Sequence, residues 1–327
     1  MQAIAARHYG SPDVLKLETL DRPAPGPNQV LLRVRAASVN PLDYHLLRAE
    51  PAFVRLFSGL GGPRHPIRGV DVAGVVEAVG PEVTHLHPGD AVFGTGLGVF
   101  SEYACAAEST LAAKPPSVPF EHAAAAPIAG VTALQALRDQ GRLRAGQHVL
   151  VHGAAGGVGT FAVQIAKILG AHVTAVTSTA NLEFVRALGA DCALDYTQED
   201  FTRGGRLYDV IVDCYASHSL ADCRRALTPQ GIYVGVGGPT SGGLMSFSGR
   251  ILAMLMFSPF RKKKMVFFIA KMNPADLAQL ADWMAVGQLT PVLDRCYSLV
   301  QVPEALHYLR RGRARGKVVI VVESGSA

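Results

Sequence analysis

Residues 148–170, HVLVHGAAGGVGTFAVQIAKILG, contain an apolar run, a glycine-rich turn and a helical repeat in immediate succession. The run from Val149 to Val151 suits a parallel strand buried on both faces, and apolar residues between 161 and 169 recur at helical spacing. This order places a helix N-terminus where its free N–H groups can bind the pyrophosphate of a dinucleotide. The segment therefore predicts an α/β fold and an enzyme that binds NAD(P).

The glycine fingerprint G-x-G-x-x-G is incomplete, because Ala154 replaces its first glycine while Gly156 and Gly159 occupy the second and third places. Gly156 lets backbone approach phosphate, and Gly159 lets the helix pack closely on the strand. Any α/β protein can carry a glycine-rich turn, so the downstream sequence has to support the assignment. Apolar runs alternate there with helical stretches, which predicts a doubly wound parallel sheet. The predicted strands are 172–177, 192–195, 208–213 and 231–236, and the helices include 181–189 and 217–227.

The end of the second predicted strand bears on the choice of cofactor. An NAD site usually places Asp or Glu about 20 residues after the glycines, to accept hydrogen bonds from the ribose 2′-OH. No acidic residue occurs between residues 147 and 182, whereas Thr177, Ser178, Thr179 and Asn181 offer donors to a 2′-phosphate. Residues 177–181 contain no Arg or Lys to pair with the phosphate charge. We predict NADPH as the cofactor in preference to NADH.

The sequence before about residue 120 has a different pattern, because short β-like runs are repeatedly broken by Pro and Gly. The runs are 30–39, 71–80, 91–96 and 101–107. They predict an antiparallel, barrel-like domain, followed by a proline-rich linker and an Ala-rich helix over 115–137. We predict a first domain over 1–122, completed by 270–327, and a nucleotide-binding domain over 123–269. Cofactor and substrate are expected to meet in the cleft between the two domains.

Composition limits the class of protein further. A chain of 327 residues with 49% hydrophobic residues and 34 glycines can build about two packed domains. The five cysteines are odd in number and scattered, which fits reduced thiols better than a disulfide framework. The N-terminus carries neither a convincing secretory signal nor a transit peptide, so we expect a cytoplasmic protein.

Two basic features bear on other classes of function. The net charge is +5 and the pI is near 9.0, but outside Arg261–Lys264 and Arg310–Arg315 the basic residues are dispersed, so no nucleic-acid partner is expected. Residues 251–260, ILAMLMFSPF, are apolar and precede the first basic cluster. They are too few to span a bilayer, which needs about 20 residues. We expect a buried or cleft-lining helix or a subunit contact there, with a membrane-surface segment as the alternative.

Six motifs in one order resemble the medium-chain dehydrogenase/reductase superfamily, and within it the zinc-independent quinone oxidoreductase and enone reductase branch. They are AASVNPLDYHLLR (36–48), RGVDVAGVVEAVG (68–80), HPGDAVFG (87–94), AGVTALQAL (129–137), AAGGVG (154–159) and GRARGKVVI (312–320). The resemblance covers nearly the whole chain. It implies a GroES-like β-barrel catalytic domain, a Rossmann nucleotide-binding domain, and a homodimer formed through sheet edges of the nucleotide domain.

The residues at the family's zinc positions predict a protein without a metal. The resemblance implies a Cys ligand at the position of Asn40 and a His-Glu pair at Val70–Asp71, and Asn40 and Val70 are poor zinc ligands. A structural zinc lobe would need four closely spaced cysteines, and Cys105 is the only cysteine before residue 192. We therefore expect neither a catalytic nor a structural zinc ion.

The loss of zinc changes which substrate is chemically accessible. Zinc stabilises an alkoxide as a Lewis acid during alcohol oxidation, whereas hydride delivery to an electron-poor acceptor is easier without it. Quinones and α,β-unsaturated carbonyls are such acceptors, and the negative charge that hydride leaves on oxygen must be met by donors. We predict Asn40 and Tyr44 as the catalytic residues, with core packing as the alternative role of Tyr44. Asp43 is expected to fix the loop or an interdomain contact.

The resemblance also implies a set of cofactor contacts. The predicted cofactor-binding residues are Asn40, Thr132, Ala155, Gly156, Gly157, Val158, Ser178, Asn181, Tyr196, Gly237, Gly238 and Lys317. The glycine turn is expected at the pyrophosphate, and Ser178 and Tyr196 around the 2′-phosphate. Asn181 stands where some quinone reductases have Lys, so the preference for NADPH is expected to be shallow. Lys317 matches a C-terminal Gly-Lys that returns to the active-site cleft, with solvation of the last strand as its alternative role.

The leading hypothesis is an NADPH-dependent, zinc-free reductase of quinones or α,β-unsaturated carbonyls. Two alternatives stay open: an NADPH-binding sensor or RNA-binding protein with little turnover, and an alcohol dehydrogenase that acts without zinc. Apolar residues within 50–62 and 240–260 suggest a bulky apolar small-molecule substrate, or they serve only in packing. The physiological substrate and the choice between quinone and enone are left open by the residues.

Overall fold

The computed structural model describes residues 1–49, 59, 62–236 and 264–322. These residues divide into two compact units, Met1–Ile128 with Met272–Ala327, and Ala129–Lys271. We call them the N/C unit and the central unit. The divisions lie a few residues beyond the boundaries predicted near 122 and 269.

Several predictions fall on residues that are not described. Gly237 and Gly238, the apolar segment 251–260 and the basic residues 261–263 lie outside the described residues, as do most of 50–62 and all of 240–260. Among the described residues, no helix is both long and apolar enough to cross a bilayer.

The N/C unit is built on a mainly antiparallel sheet. Its strands are β1 (Gln2–Ala5), β2 (Lys16–Thr19), β3 (Gln29–Val39), β4 (Asp71–Val79), β5 (Ala91–Thr95), β6 (Tyr103–Ala107), β7 (Leu111–Ala113), β14 (Leu293–Ser298) and β15 (Lys317–Val321). The main sheet has the order β14-β15-β3-β4-β5-β7, and β6 also pairs with β3, while β1 and β2 form a separate pair. The predicted β-like runs of the first domain correspond to β3, β4, β5 and β6, and β15 returns from the chain's end to pair with β3.

Short helices cover this sheet. They are α1 (Pro41–Arg48), α2 (Phe120–Ala125), α7 (Pro274–Ala285) and α8 (Val302–Arg310), with single 3₁₀ turns at Pro12–Val14, Glu108–Thr110 and Leu299–Gln301. The alanines of α2 are fully buried, and the helix lies against β3, β4 and β15. Their small side chains allow the helix backbone to approach the sheet closely. The alternating apolar residues Val30, Leu32 and Val34 of β3 face the core of this unit.

The central unit contains the predicted doubly wound parallel sheet. Its strands are β8 (His148–His152), β9 (His172–Thr177), β10 (Cys192–Asp195), β11 (Tyr208–Asp213), β12 (Leu227–Gly235) and β13 (Lys264–Phe267). They follow the order β10-β9-β8-β11-β12-β13, and every adjacent pair is parallel. The order reverses between β8 and β11, which makes the carboxyl ends of these two strands the switch point where α/β sheets bind ligands.

The helices of the central unit follow the strands as the sequence predicts. They are α4 (Gly157–Ile168), α5 (Leu182–Ala187) and α6 (Leu220–Arg225), with a 3₁₀ turn at Thr179–Asn181. Helix α3 (Pro127–Gln135) crosses the division between the units and runs into a π-helical turn at Ala136–Gln140. A Cβ atom on Gly159 would lie 2.2 Å from the carbonyl oxygen of Gly153, so only glycine lets α4 sit this close to the turn after β8.

Candidate active site

Asn40 lies at the junction between β3 and α1 and is 3% exposed. Its backbone is extended, and Pro41 opens the helix at the position that proline favours. The Asn40 N–H donates a 2.7 Å hydrogen bond to Oδ2 of Asp43, which fixes the start of the helix. Asp43 thus fixes the loop, one of the two roles expected for it.

The side-chain amide of Asn40 is held by opposite charges at its two ends. Lys317 Nζ donates to Asn40 Oδ1 at 2.6 Å, and Asn40 Nδ2 donates to Asp71 Oδ2 at 2.9 Å. A flipped amide would face the ammonium with its own donors and the carboxylate with its oxygen. The pair of charges therefore selects one amide orientation.

Three adjacent strands bring these residues together from distant parts of the sequence. Asp71 begins β4 opposite Ser38 of β3, and Lys317 begins β15, which pairs with the same end of β3. Asp71 Oδ2 also accepts from Ser38 Oγ at 2.9 Å and lies 3.4 Å from Lys317 Nζ, and Oδ1 accepts from the Ile128 N–H at 3.1 Å. Asp71 is fully buried and Lys317 is 3% exposed, so the charges are paired away from water.

Burial changes the proton affinity of the ionisable groups in this cluster. It lowers the pKa of Lys317, against the opposing influence of the Asp71 and Asp43 charges. It raises the pKa of Asp43 to about 7, an effect that the Asn40 N–H opposes and the Asp71 charge reinforces. Burial also lowers the pKa of Arg68, whose Nε and Nη2 have no hydrogen-bond partner among the described residues.

Tyr44 lies one helical position beyond Asp43 but has a different environment. Its hydroxyl accepts a 2.9 Å hydrogen bond from Arg48 Nη1, and the Arg310 guanidinium lies 5.5 Å from its ring centroid. The ring packs, half-buried, against the core of the N/C unit. In the described part of the chain its hydroxyl is paired with Arg48 rather than with Asn40 or Lys317.

The donor set of this cluster does not fit a zinc ion. Zinc-dependent relatives are expected to carry a thiolate and an imidazole at the positions of Asn40 and Val70. The N/C unit has an amide and an aliphatic side chain there, and the neighbouring Asp71 carboxylate is already paired with the Lys317 ammonium. The Lys317 charge would repel a divalent cation at Asn40. No group of three or more His, Cys, Asp or Glu residues that could hold a metal is present in the ranges that the structure describes.

The glycine turn of the central unit has the geometry of a phosphate site. Gly156 is the N-cap of α4, and the helix begins with Gly157 and Val158. Among the described residues, only the Gly153 carbonyl oxygen, at 3.4 Å, would contact a Cβ on Gly156, so this part of the structure leaves the space above Gly156 open. The first N–H groups of α4 point toward that space with the positive end of the helix dipole. Ala155, which precedes the N-cap, is 6% exposed.

The other predicted cofactor residues of the central unit lie at three places. Thr132 is in α3 and is 9% exposed. Ser178 follows the end of β9, where its Oγ accepts from Asn181 Nδ2 at 3.2 Å, and Asn181 Oδ1 is buried without a partner in the described part of the chain. Tyr196 is 58% exposed just after β10.

The sequence did not predict Asp195 as an acidic residue near the cofactor site, because it lies beyond residues 147–182, where the ribose-binding carboxylate is usually found. It ends β10 beside the end of β9, and its Oδ2 accepts from Thr179 Oγ1 at 2.5 Å. Its hydrogen bonds with Thr179 and Thr197 lower its pKa and keep it ionised. A carboxylate therefore does stand near the proposed 2′-phosphate donors, which sequence distance alone concealed.

Together the two units define the class of protein: an oxidoreductase with a GroES-like unit and a Rossmann-type nucleotide-binding unit. Two family models match the chain, "Alcohol dehydrogenase GroES-like domain" over residues 26–116 and "Zinc-binding dehydrogenase" over residues 188–320.

Individual relatives agree with these models. The 2-methylene-furan-3-one reductase of Solanum lycopersicum is 34% identical, over 98% of this chain and 79% of its own. The chloroplastic NADPH-dependent alkenal/one oxidoreductase of Arabidopsis thaliana is 33% identical over the same shares. The quinone oxidoreductase structure from Coxiella burnetii has a TM-score of 0.86 at 30% identity and covers 99% of both chains. The chain belongs to the medium-chain dehydrogenase/reductase superfamily, in its quinone oxidoreductase and enone reductase branch, which confirms the resemblance.

Proposed function

We propose that this protein is an NADPH-dependent reductase that transfers hydride to quinones or α,β-unsaturated carbonyls without a zinc ion. The observation that carries the proposal is the buried contact of Lys317, Asn40 and Asp71. Lys317 Nζ donates to Asn40 Oδ1 at 2.6 Å, and we propose that this buried ammonium supplies the positive charge that zinc supplies in metal-dependent relatives. The names of the relatives, reductases of enones, alkenals and quinones, support the same reaction class.

The proposed chemistry needs donors where negative charge develops. NADPH supplies the hydride when it is bound, and the acceptor oxygen then becomes an enolate or hydroquinone anion. Asn40 is proposed to hold the nicotinamide and the acceptor in a fixed position relative to each other, since Lys317 and Asp71 fix the orientation of its amide. Tyr44 is proposed to orient substrate or supply a proton through a hydroxyl that Arg48 holds in place.

The central unit is proposed to hold the cofactor along the carboxyl ends of its strands. Gly156, Gly157 and Val158 would bind the pyrophosphate through the first turn of α4, with Ala155 beneath it. Thr132 and Lys317 are proposed at the nicotinamide side, as are Gly237 and Gly238, which lie outside the described residues.

The preference for NADPH rests on the other end of the site. Ser178, Asn181 and Tyr196 are the proposed partners of the 2′-phosphate, with the Ser178 hydroxyl and the Asn181 amide NH₂, which lie 3.2 Å apart, as donors. The nearby Asp195 carboxylate works against a second negative charge. We therefore propose a modest selectivity for NADPH over NADH.

The first test follows NADPH and NADH oxidation by purified, metal-chelated protein with one quinone and one enone. Gly156→Asp is the informative variant, because the Gly156 backbone is extended at φ −82° and accepts any residue, while a carboxylate there repels phosphate. Gly204→Asp is its matched control, since Gly204 also lies in the central unit and no atom of the described residues lies within 4 Å of a Cβ there.

We expect metal-independent oxidation that prefers NADPH, that falls by about 100-fold or more in Gly156→Asp and that is unchanged in Gly204→Asp. Binding of NADPH without turnover of either acceptor would contradict the reductase and favour the sensor. Activity lost on chelation would contradict the zinc-free site.

Three further properties are proposals of the same kind. The substrate is proposed to be a small apolar molecule, the assembly a homodimer and the location the cytoplasm. Sedimentation of the purified protein and fractionation of the source cells test the last two.

A further inference from the structure

A serine hydroxyl, an imidazole and a carboxylate lie in series in the central unit, outside the residues assigned above. Ser217 Oγ lies 3.5 Å from His152 Nε2, and His152 Nδ1 lies 2.9 Å from Asp213 Oδ1. His152 ends β8 and Asp213 ends β11, the two strands at the switch point of the sheet, and Ser217 lies in the segment that follows β11. This is the order of groups in which an imidazole activates a hydroxyl as a nucleophile.

The Asp213 carboxylate is fully buried and determines which nitrogen of His152 carries the hydrogen. Burial opposes ionisation of Asp213, but hydrogen bonds with His152, Tyr233 and the Ala216 N–H hold its pKa well below the ordinary range. An ionised carboxylate only accepts hydrogen bonds, so a neutral His152 carries its hydrogen on Nδ1 and its lone pair on Nε2. That lone pair faces the Ser217 hydroxyl.

The same carboxylate also holds the segment that carries Ser217. Asp213 Oδ1 accepts from the Tyr215 N–H at 3.0 Å and from the Ala216 N–H at 2.7 Å. Ala216 has a φ of 60°, in the left-handed region that a residue with a Cβ rarely adopts. Strain of this kind persists only where the surrounding structure imposes it, and it is concentrated at functional sites. One buried carboxylate thus orients both the imidazole and the turn that presents the hydroxyl.

The hydroxyl and the imidazole differ in exposure as a nucleophile and its base require. His152 is 3% exposed, and its ring centroid lies 5.4 Å from that of Phe201 and 6.0 Å from that of Tyr215. Ser217 is exposed, and half of the Tyr215 side chain beside it is exposed too. A small organic molecule can therefore reach the hydroxyl and contact an aromatic ring, while the base stays shielded by its neighbours.

A second imidazole, that of His218, lies near the same hydroxyl, with its Nδ1 3.2 Å from Ser217 Oγ. Its Nε2 lies 3.2 Å from Asp200 Oδ1, a contact that is an ion pair only when His218 is protonated. In that form the imidazole donates to Ser217 Oγ and cannot take its proton. His152 is the better base, because a buried carboxylate directs its lone pair at the hydroxyl.

We propose that Ser217 is a nucleophile activated by His152 and Asp213, and that the central unit hydrolyses small carboxylic esters through it. Ser217 Oγ bonds to the ester carbonyl carbon while its proton moves to His152 Nε2. The carbon–oxygen bond to the alcohol then breaks, and the alcohol leaves with that proton. Water attacks the acyl-serine, gives a proton to His152, and the carboxylic acid leaves as the serine hydroxyl takes that proton back.

This activity is separate from the proposed reductase. The reaction consumes one ester and one water, and no electrons enter or leave. An ester is favoured over an amide, because an alcohol leaves more readily than an amine. Failure of the proposed hydride transfer would therefore leave this proposal unchanged, and the reverse also holds.

The test follows hydrolysis of p-nitrophenyl acetate by the purified full-length protein without nucleotide. Ser217→Ala is the informative variant, because it removes the hydroxyl at an exposed position where the fold should be kept. We expect kcat/KM to fall by about 100-fold or more in this variant. Acid quenching followed by peptide mass spectrometry should find an acetyl group on Ser217 of the wild type.

His152→Gln tests the base. Its amide NH₂ can still donate to Asp213, which keeps the buried carboxylate paired, but an amide cannot take the serine proton. We expect a loss of about 100-fold in His152→Gln, and a loss of at most about fivefold in His218→Gln. The opposite order of the two losses would overturn the assignment of His152. If thermal unfolding shows that His152→Gln is not folded, Ser217→Ala and the position of the acetyl group decide.

Ser219→Ala is the matched control, because Ser219 is exposed in the same segment but its hydroxyl donates to Asp222 Oδ2 at 2.6 Å. It should keep the wild-type rate and the acetyl group on Ser217. Equal hydrolysis by wild type and Ser217→Ala would overturn the proposal, as would acetyl groups found on lysines or on Cys296 but not on Ser217. Absence of any hydrolysis or acetylation by the folded wild type would overturn it as well.

Discussion

At the scale of single residues, Lys317 shows how one side chain can have both a structural and a chemical role. Its ammonium neutralises the buried Asp71 carboxylate and donates to the amide of Asn40. Removing it leaves the fully buried Asp71 carboxylate without its cation, which is the situation that makes broken buried ion pairs costly. The same removal takes away the donor that holds Asn40 Oδ1.

Lys317→Met preserves volume and removes the charge. We expect it to lower the free energy of unfolding of the N/C unit by about 3–5 kcal/mol and to lower kcat by about tenfold or more. In the double variant Lys317→Met, Asp71→Asn no charge is left unpaired, so most of the stability should return while kcat stays low. Thermal unfolding and steady-state kinetics measure the two effects, and recovery of kcat in the double variant would show a purely structural role.

At the scale of secondary-structure elements, the turn between β8 and α4 depends on close backbone packing. A Cβ on Gly159 would lie 2.2 Å from the Gly153 carbonyl oxygen and 2.7 Å from Ala154 Cα, and backbone atoms cannot rotate away. The helix would have to shift, and its N-terminus would shift with it.

We therefore expect Gly159→Ala to destabilise the central unit by about 1–3 kcal/mol and to weaken nucleotide binding several-fold. Calorimetry and nucleotide fluorescence measure these two quantities. Gly204→Ala controls for the added methyl group, because a Cβ at Gly204 has no atom of the described part of the chain within 4 Å. Equal behaviour of the two variants would contradict the packing argument.

The secondary-structure elements were more predictable from the sequence than the contacts within the site that they build. Strands β8 to β11 carry their periodicity locally, so their bounds agree closely with the predicted runs. Asn40 and Lys317 were predicted from motifs, but their contact through Asp71 depends on the pairing of β3 with β4 and β15. Pairing between distant strands has no signature in a local pattern, and the same holds for Asp195 beside Thr179.

At the scale of the whole molecule, Asp43 makes the stability of the N/C unit depend on pH. Burial raises the pKa of Asp43 to about 7 in the folded protein, whereas the pKa of an Asp in an unfolded chain is about 3.9. The folded state thus holds this proton more tightly than the unfolded state. The stability that Asp43 contributes is fully present below about pH 4 and is lost progressively as the pH rises to about 7.

Asp43→Asn removes this titration and keeps an oxygen that can accept from the Asn40 N–H. We expect the variant to be more stable than the wild type at pH 8, and the difference to shrink toward pH 4, with a slope of at most about 1.4 kcal/mol per pH unit. Calorimetry of the cofactor-free protein at pH 4.5, 6 and 8 measures it. Asp13→Asn is a control of opposite sign, because hydrogen bonds from Ser11 and His307 lower the pKa of that exposed carboxyl, so its loss cannot stabilise the protein at pH 8. A constant difference between Asp43→Asn and wild type at all three pH values would mean that the hydrogen bond to Asn40, and not the ionisation of Asp43, governs this part of the N/C unit.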